Sequence, residues 1–126
     1  MPIKIKRIYL PSVHNDGYRI FVDRLWARGI SKENAGINVW VKEIAPSDEL
    51  RKWFAHKPER FEEFSKKYTS ELNNSKYSPN FVRMCIEKLT EGNVTLLYSA
   101  KDTNNNNAVV LKQWLESQIT AGDKNE

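Results

Sequence analysis

The sequence predicts one small α/β domain of three layers, in which helices flank a mostly parallel central sheet of about four strands. The chain has 126 residues, which is the length of a single domain. Hydrophobic residues make up 40% of it, and its second half alternates helical with strand-like segments. We expect the domain to span residues 1–120 and residues 121–126 to form a frayed tail.

Three strand-like segments precede the main helices. Residues 3–8 alternate isoleucines roughly with basic residues. Residues 18–23 are β-branched, aromatic and largely apolar, as in a buried central strand. Residues 24–36 read as a loop with one helical turn after Ser31, and residues 38–45 alternate as a third strand. A hairpin between the first two strands is an alternative to parallel pairing, and the pattern leaves that choice open.

The later helices begin at capping signals. Ser47 offers a hydroxyl cap before two acids, Pro58 suits the first position of the next helix, and Ser78-Pro79 opens a third. Apolar residues at helical spacing define the expected inner faces. They are Leu50, Trp53 and Phe54, then Phe61, Phe64, Tyr68 and Leu72, then Phe81, Val82, Cys85, Ile86 and Leu89.

The end of the chain completes the predicted sheet. Residues 94–98 form a short apolar strand, and residues 108–118 form a last amphipathic helix after a polar loop. In open parallel sheets, ligands bind beyond the carboxyl ends of the strands. The sequence therefore predicts a site built from residues 23–29, 45–47 and 99–104.

The net charge of +4 is concentrated in the first quarter of the chain. Residues 1–28 hold six basic residues against two acids, and the remaining residues hold fourteen of each sign. A local positive field favours an anionic ligand such as a phosphate, a nucleotide, a carboxylate or a nucleic acid. For Lys4 and Lys6 we favour a simpler interpretation, in which both line the solvent side of the first strand.

Asp23, Arg24 and Arg28 follow the predicted central strand. Guanidinium groups at a strand end suit bidentate binding of a phosphate or a carboxylate. Asp23 is placed as a general base or as a partner that orients an arginine, and the alternative is a structural ion pair that pins the loop. Because neighbours in an extended chain point to opposite faces, Asp23 and Arg24 enter one site only if the chain bends.

Lys101 and Asp102 follow the short apolar strand. The pair suits an anion holder and a general base, and the N–H groups of the last helix begin just beyond it. The alternative is that Asp102 starts a turn and that Lys101 is solvated.

The histidines and the cysteine predict no cofactor. His14 and His56 lie in different loops without acidic or thiol neighbours at metal-ligand spacing, so we expect no metal site. Cys85 falls on the apolar face of a predicted helix, which marks it as a core residue, and one cysteine excludes an internal disulfide framework. No Gly-rich phosphate-binding loop is present.

No segment predicts a membrane partner. Apolar runs stay well below the roughly 20 residues of a membrane span. Lys4, Lys6 and Arg7 interrupt the apolar residues among the first ten, whereas a secretory signal has an uninterrupted apolar segment. We therefore expect a soluble, cytoplasmic protein, and the sequence makes no prediction of its oligomeric state.

Three ordered motifs resemble the YeaO-like branch of the domain of unknown function 488 family. They are residues 17–33, residues 40–47 with 50–54, and residues 95–102, within a match from about residue 5 to residue 115. The resemblance implies a compact α/β fold and brings no established activity. The family's motif blocks fall on Asp23, Arg24, Arg28, Pro46, Ser47, Arg51, Lys101 and Asp102.

One departure from the branch affects the expected chemistry. The branch usually reads His-Asn-His-Ala after the Lys-Asp strand end, where this chain has Asn105, Asn106, Asn107 and Ala108. Asn105 and Asn107 replace the two histidines, so imidazole acid–base or metal chemistry at these two positions is absent. Asn106 keeps the family's residue, and the resemblance implies that it orients a ligand.

These observations together predict a domain that binds a small anionic ligand resembling a phosphate or a nucleotide. Arg24, Arg28 and Lys101 hold the anion, and Asp23 or Asp102 is the base if a metal-independent reaction follows. The resemblance adds Ser47, Arg51 and Asn106 to the ligand-binding set. Two alternatives stay open. One is a nucleic-acid-binding module, since Trp26 lies between arginines, and the other is an interaction or scaffold protein with a structural Arg–Asp cluster.

Overall fold

The computed structural model describes residues 2–124 and places in them one four-stranded sheet. The strands are β1 (Ile3–Arg7), β2 (Tyr18–Phe21), β3 (Val39–Trp40) and β4 (Val94–Tyr98). They are all parallel, in the order β1-β4-β2-β3, so the predicted α/β class is confirmed. The first two strands do not form a hairpin, because each of them pairs with β4 instead.

The helices begin close to the predicted starts. They are α1 (Lys32–Ala35), α2 (Asp48–Phe54), α3 (Phe61–Asn74), α4 (Ser78–Leu89) and α5 (Asn107–Lys124). Ser31 Oγ accepts a hydrogen bond from Asn34 N, and Ser47 Oγ accepts one from Leu50 N, both at 3.1 Å. Both predicted caps are therefore confirmed.

The last helix is longer than its amphipathic pattern predicts. It continues through residues 121–124 of the expected frayed tail, and residues 125–126 lie outside the described residues. Ala108, Leu111, Leu115 and Ile119 carry the buried stripe.

Two predictions from apolar spacing are wrong in detail. The third strand was expected over residues 38–45, but its ladder ends at Trp40, and Lys42–Ile44 forms a 3-10 turn. That turn buries Ile44 in the core, where its carbonyl accepts a hydrogen bond from Tyr68 Oη at 2.7 Å. On α4, Ile86 is 44% exposed instead of buried, because Cys85 occupies the inward position beside it.

The sheet is covered on both faces, which gives the three layers. Helices α2–α5 cover one face, and their side chains meet alternate residues of the central strands, including Ile20 and Leu96. The neighbouring residues Phe21 and Leu97 point the other way, into a smaller apolar cluster beneath α1 and its flanking loops. Burial on both sides explains why every residue of β4 is buried.

A buried charged cluster shares the second face, and we call it the Asp16 cluster: Lys4, Lys6, Asp16 and Arg19. Asp16 accepts hydrogen bonds from Arg19 at 2.5 Å, Lys6 at 2.9 Å and Lys4 at 3.4 Å. Burial acts to raise the pKa of Asp16, but these donors outweigh it and lower the pKa to about 2. The side chains of Lys4 and Lys6 are 37% and 16% exposed, so both reach solvent as expected, and both also pair with a carboxylate buried in the fold.

None of the helices in residues 2–124 combines the length and the apolar character needed to cross a membrane. In the same residues, no three His, Cys, Asp or Glu side chains come together as candidate metal ligands.

Candidate functional site

A cleft of about 390 Å³ lies at the carboxyl ends of the strands, and we call it the strand-end cleft. Tyr9 follows β1, residues 23–28 follow β2, and residues 99–100 follow β4, and all of them line it. Pro46, helix α2, His56, Phe64 of α3 and the start of α5 complete the wall. Its charged lining residues are Asp23, Arg24, Arg28 and Arg51.

Arg24 crosses the cleft wall and is held by backbone carbonyls. Its Nε donates to Pro46 O at 2.9 Å, and one terminal nitrogen donates to Ala45 O at 3.2 Å. Two of its five N–H groups are therefore used, and the others remain available to a ligand. Asp48 lies 4.0 Å from Nε, but its side chain is 60% exposed, so solvent screens this pair.

Arg51 reaches the same cleft from α2. One terminal nitrogen pairs with Asp48 at 3.3 Å. Its Nε is buried and has no hydrogen-bond partner among the residues that the structure describes. A buried N–H without an acceptor is costly to the fold.

Arg28 stands at the rim of the cleft and is exposed. Within residues 2–124 its guanidinium makes no hydrogen bond or ion pair, and only its backbone carbonyl is used, by Tyr9 Oη at 2.8 Å. Its charge is therefore available to a bound anion.

Asp23 is fixed by three donors. Ser99 donates from its backbone N at 3.0 Å and from Oγ at 2.7 Å, and Asn107 donates from its side-chain amide at 3.0 Å. Burial raises the pKa of Asp23 above its usual value, and these hydrogen bonds oppose the rise. Asp23 and Arg24 both line the cleft because β2 ends at Phe21 and the chain bends after it.

Asp102 and Asn106 serve the start of α5. Asp102 Oδ1 accepts from the backbone N of Asn104 and Asn105, which is the turn interpretation considered above. A hydrogen bond from the Asn105 side chain, together with these two, lowers the pKa of Asp102. Asn106 lines the cleft, but its amide oxygen accepts from Val109 N and its amide nitrogen donates to Asp102 O. The Asn106 side chain therefore caps α5, and the Asp102 side chain holds the turn that leads into it.

Lys101 and Ser47 are not brought to the cleft. Lys101 is exposed, and neither it nor Asp102 is among the lining residues. Ser47 faces a second groove, where its Oγ donates to Glu71 at 2.6 Å. The predicted convergence of Lys101 with Arg24 and Arg28 is therefore not found; Arg51 takes that place.

Trp26 is held by the fold. Its ring centroid lies 5.0 Å from that of Phe21 and 5.4 Å from that of Trp40, and its Nε1 donates to Ile30 O at 2.8 Å. Only part of this side chain reaches the cleft, so it is a poor platform for a nucleobase.

Sequence reasoning missed Tyr9, Ser99 and Asn107 as site residues. Tyr9 follows an edge strand and carries no charge. Ser99 was considered only as a nucleophile, and Asn107 only as a replaced histidine. One sequence signal could have found them. Each lies beyond the carboxyl end of a strand, and a parallel sheet brings these ends together at one edge.

Comparison with known proteins places the chain in a family. A family model described as "Inactive DUF488-N3 subclade" matches residues 2–126. The chain is 44% identical over 117 residues to "Uncharacterized protein YeaO" of Escherichia coli, covering 93% of this chain and 99% of that protein. It is 36% identical over 117 residues to "Uncharacterized protein Mb3100c" of Mycobacterium bovis, covering 92% and 95%. No solved structure matches. The resemblance seen in the motifs is thus confirmed, and the chain belongs to the DUF488 family, in the subclade described as inactive DUF488-N3.

Proposed function

We propose that the strand-end cleft binds a small ligand through an anionic group, and that Arg24, Arg28 and Arg51 hold this group. The observation that carries the proposal is that three arginines line one cleft, and that, among the described residues, the guanidinium of Arg28 and part of that of Arg24 make no hydrogen bond. Unpaired guanidinium N–H groups are strong donors to phosphate and carboxylate oxygens.

The charge of the lining supports the same conclusion. Three arginines face the cleft against one aspartate, Asp23, among the described residues, which leaves a formal charge of +2. Asp23 already accepts three hydrogen bonds, two from Ser99 and one from Asn107, so most of its acceptor capacity is used within the fold. Guanidinium groups bind phosphate and carboxylate oxygens in pairs, which suits this arrangement.

We propose that binding is not followed by a reaction. The family model describes its subclade as inactive. Asp23 accepts three hydrogen bonds from the fold, and Asp102 holds a turn outside the lining. Asn105 and Asn107 stand where the branch usually has histidines, so neither supplies an acid or a base.

The nucleic-acid alternative has less support. Lys4, Lys6 and Arg19 all pair with Asp16, so half of the six basic groups of the first quarter already share a carboxylate within the fold. Trp26 packs against other rings. We further propose a cytoplasmic location, which the single, unpaired and buried Cys85 supports.

Isothermal titration with inorganic phosphate and with ribose 5-phosphate tests the proposal. We expect Arg28→Ala and Arg51→Gln each to weaken binding by about 10- to 100-fold, because a charge-assisted hydrogen bond contributes about 1.5–3 kcal/mol. Arg83→Ala is the matched control, since Arg83 is on α4 and contacts only Asn80 through its side chain in the described residues. Equal weakening by the control, or no binding of either compound to the wild type, refutes the proposal.

Two further measurements separate the alternatives. A short oligonucleotide that binds with a steep salt dependence, while both phosphates fail, favours the nucleic-acid module. Release of a new product from a bound phosphate compound contradicts the absence of a reaction.

A further inference from the structure

The Tyr9 ring is anchored in place at the rim of the strand-end cleft, although 38% of the residue is exposed. Its Oη donates to the carbonyl of Arg28 at 2.8 Å. The guanidinium carbon of Arg7 lies 4.9 Å from the ring centroid. Arg7 is in turn held by the carbonyls of Ala100 at 2.9 Å and Ser99 at 3.1 Å.

One hydrogen bond and one cation–π contact hold this exposed side chain. Fixing a surface rotamer costs conformational entropy, and a tyrosine needs none of these anchors merely to face water. The anchors hold the ring relative to the ends of β1 and β4. Tyr9 is therefore a rigid aromatic surface beside a cluster of cations.

The cleft has an apolar part as well as a cationic one. Leu25, which is 58% exposed, lines it, and Phe54 and Phe64 stack within its wall with ring centroids 4.3 Å apart. Arg24 and Arg51 mark another part of the lining, since both approach Asp48. A volume of about 390 Å³ lies in the range of small-molecule pockets, roughly 300–1,000 Å³.

We infer that the ligand of the strand-end cleft joins an anionic group to a flat aromatic ring, as a nucleoside monophosphate does, and that the ring stacks on Tyr9. The inference rests on the proposed function and names its ligand class. Arg24, Arg28 and Arg51 hold the anionic group, and the ring lies on the anchored side chain of Tyr9.

The inference predicts a specific preference. Stacking of a base on an aromatic side chain strengthens binding by at least about 5-fold. Adenosine 5′-monophosphate is therefore expected to bind wild-type protein at least about 5-fold more tightly than ribose 5-phosphate, which has the same phosphate without the base.

Two variants test which ring is responsible. Tyr9→Leu keeps apolar bulk but removes the flat ring, and we expect it to abolish the preference for adenosine 5′-monophosphate over ribose 5-phosphate. Tyr77→Leu is the matched control, because Tyr77 is also exposed and also lies beneath a cation, Lys76, with 5.4 Å between Nζ and the ring centroid. The control retains the full preference.

A spectroscopic measurement avoids dependence on the variants. In wild-type protein, adenosine 5′-monophosphate shifts the ring proton resonances of Tyr9, and ribose 5-phosphate leaves them in place. Equal binding of the two compounds, or a preference that survives Tyr9→Leu, overturns the inference and leaves the proposed function standing. Failure of both compounds to bind overturns both.

Discussion

Replacement of Asp16 by asparagine removes the one carboxylate at the centre of the Asp16 cluster. The Arg19 side chain is only 3% exposed and pairs with Asp16 at 2.5 Å. Its remaining partners are the carbonyls of Gly36 at 3.0 Å and Ala35 at 2.8 Å, which carry no net charge. Leaving a buried charge without its counter-ion costs about 3–5 kcal/mol. We expect Asp16→Asn to lower the free energy of unfolding at pH 7 by that amount.

The pH dependence of the free energy of unfolding gives a second, independent measure of the contribution of Asp16. The pKa of Asp16 is about 2 in the folded protein against 3.8 for an ordinary aspartate. Because the pKa of Asp16 is lower in the folded protein, its ionised carboxylate stabilises the fold above pH 3.8, and this stabilisation is lost as the pH falls towards 2. The difference between these pKa values corresponds to about 2 kcal/mol. The stability gap between wild type and Asp16→Asn therefore narrows by about that amount between pH 5 and pH 2.

Urea unfolding followed by tryptophan fluorescence measures both effects. Glu62→Gln is the control, since Glu62 is 88% exposed and its pair with Lys66 is solvated, so its loss costs less than about 0.5 kcal/mol. Where Asp16→Asn does not fold, Lys6→Met removes one partner of the same carboxylate and tests the cluster. A cost below about 1 kcal/mol at pH 7, or a gap that stays constant with pH, refutes the reasoning.

The remaining predictions concern single positions. Gly17→Ala lowers the free energy of unfolding by at least about 2 kcal/mol, because its φ is +65° and a Cβ meets a backbone carbonyl oxygen at 2.1 Å. Gly92→Ala, which meets nothing within 4 Å, changes stability little in the same urea titration. Ser99→Ala removes a donor from Asp23 and raises the pKa of that carboxyl further, which a carboxyl carbon NMR titration detects. Ile86→Lys stays within about 0.5 kcal/mol of wild type by thermal unfolding, since the side chain is 44% exposed.

The strands and helices were predictable where local pattern and burial agree. Val94–Tyr98 is apolar or β-branched throughout, and it forms a strand with the predicted bounds. Ser31 and Ser47 cap helices as their positions indicate. The predicted third strand was too long at Ile44. The alternating pattern around this residue does not reveal the 3-10 turn that buries it in the core.

The location of the site was predictable from the sequence, but several of the residues that line it were not. The strand-end rule brings Asp23 and the arginines to one edge, because a parallel sheet aligns its carboxyl ends. It does not say where side chains point after the strand stops, so Lys101 and Asp102 were assigned to a cleft that neither lines. The arginine from helix α2, Arg51, came only from the family resemblance, since its approach depends on packing between distant segments.

The position of β4 inside the sheet has a consequence for how the protein is made. Val94–Tyr98 is the strand against which both β1 and β2 pair, yet it is translated long after them. A nascent chain that has not reached this segment holds β1 without its partner strand, with Ile3 and Ile5 directed at a core that does not yet exist. Such long-range pairing slows folding and leaves apolar edges open meanwhile. Ribosome-bound intermediates of this protein are thus expected to recruit chaperones until β4 emerges.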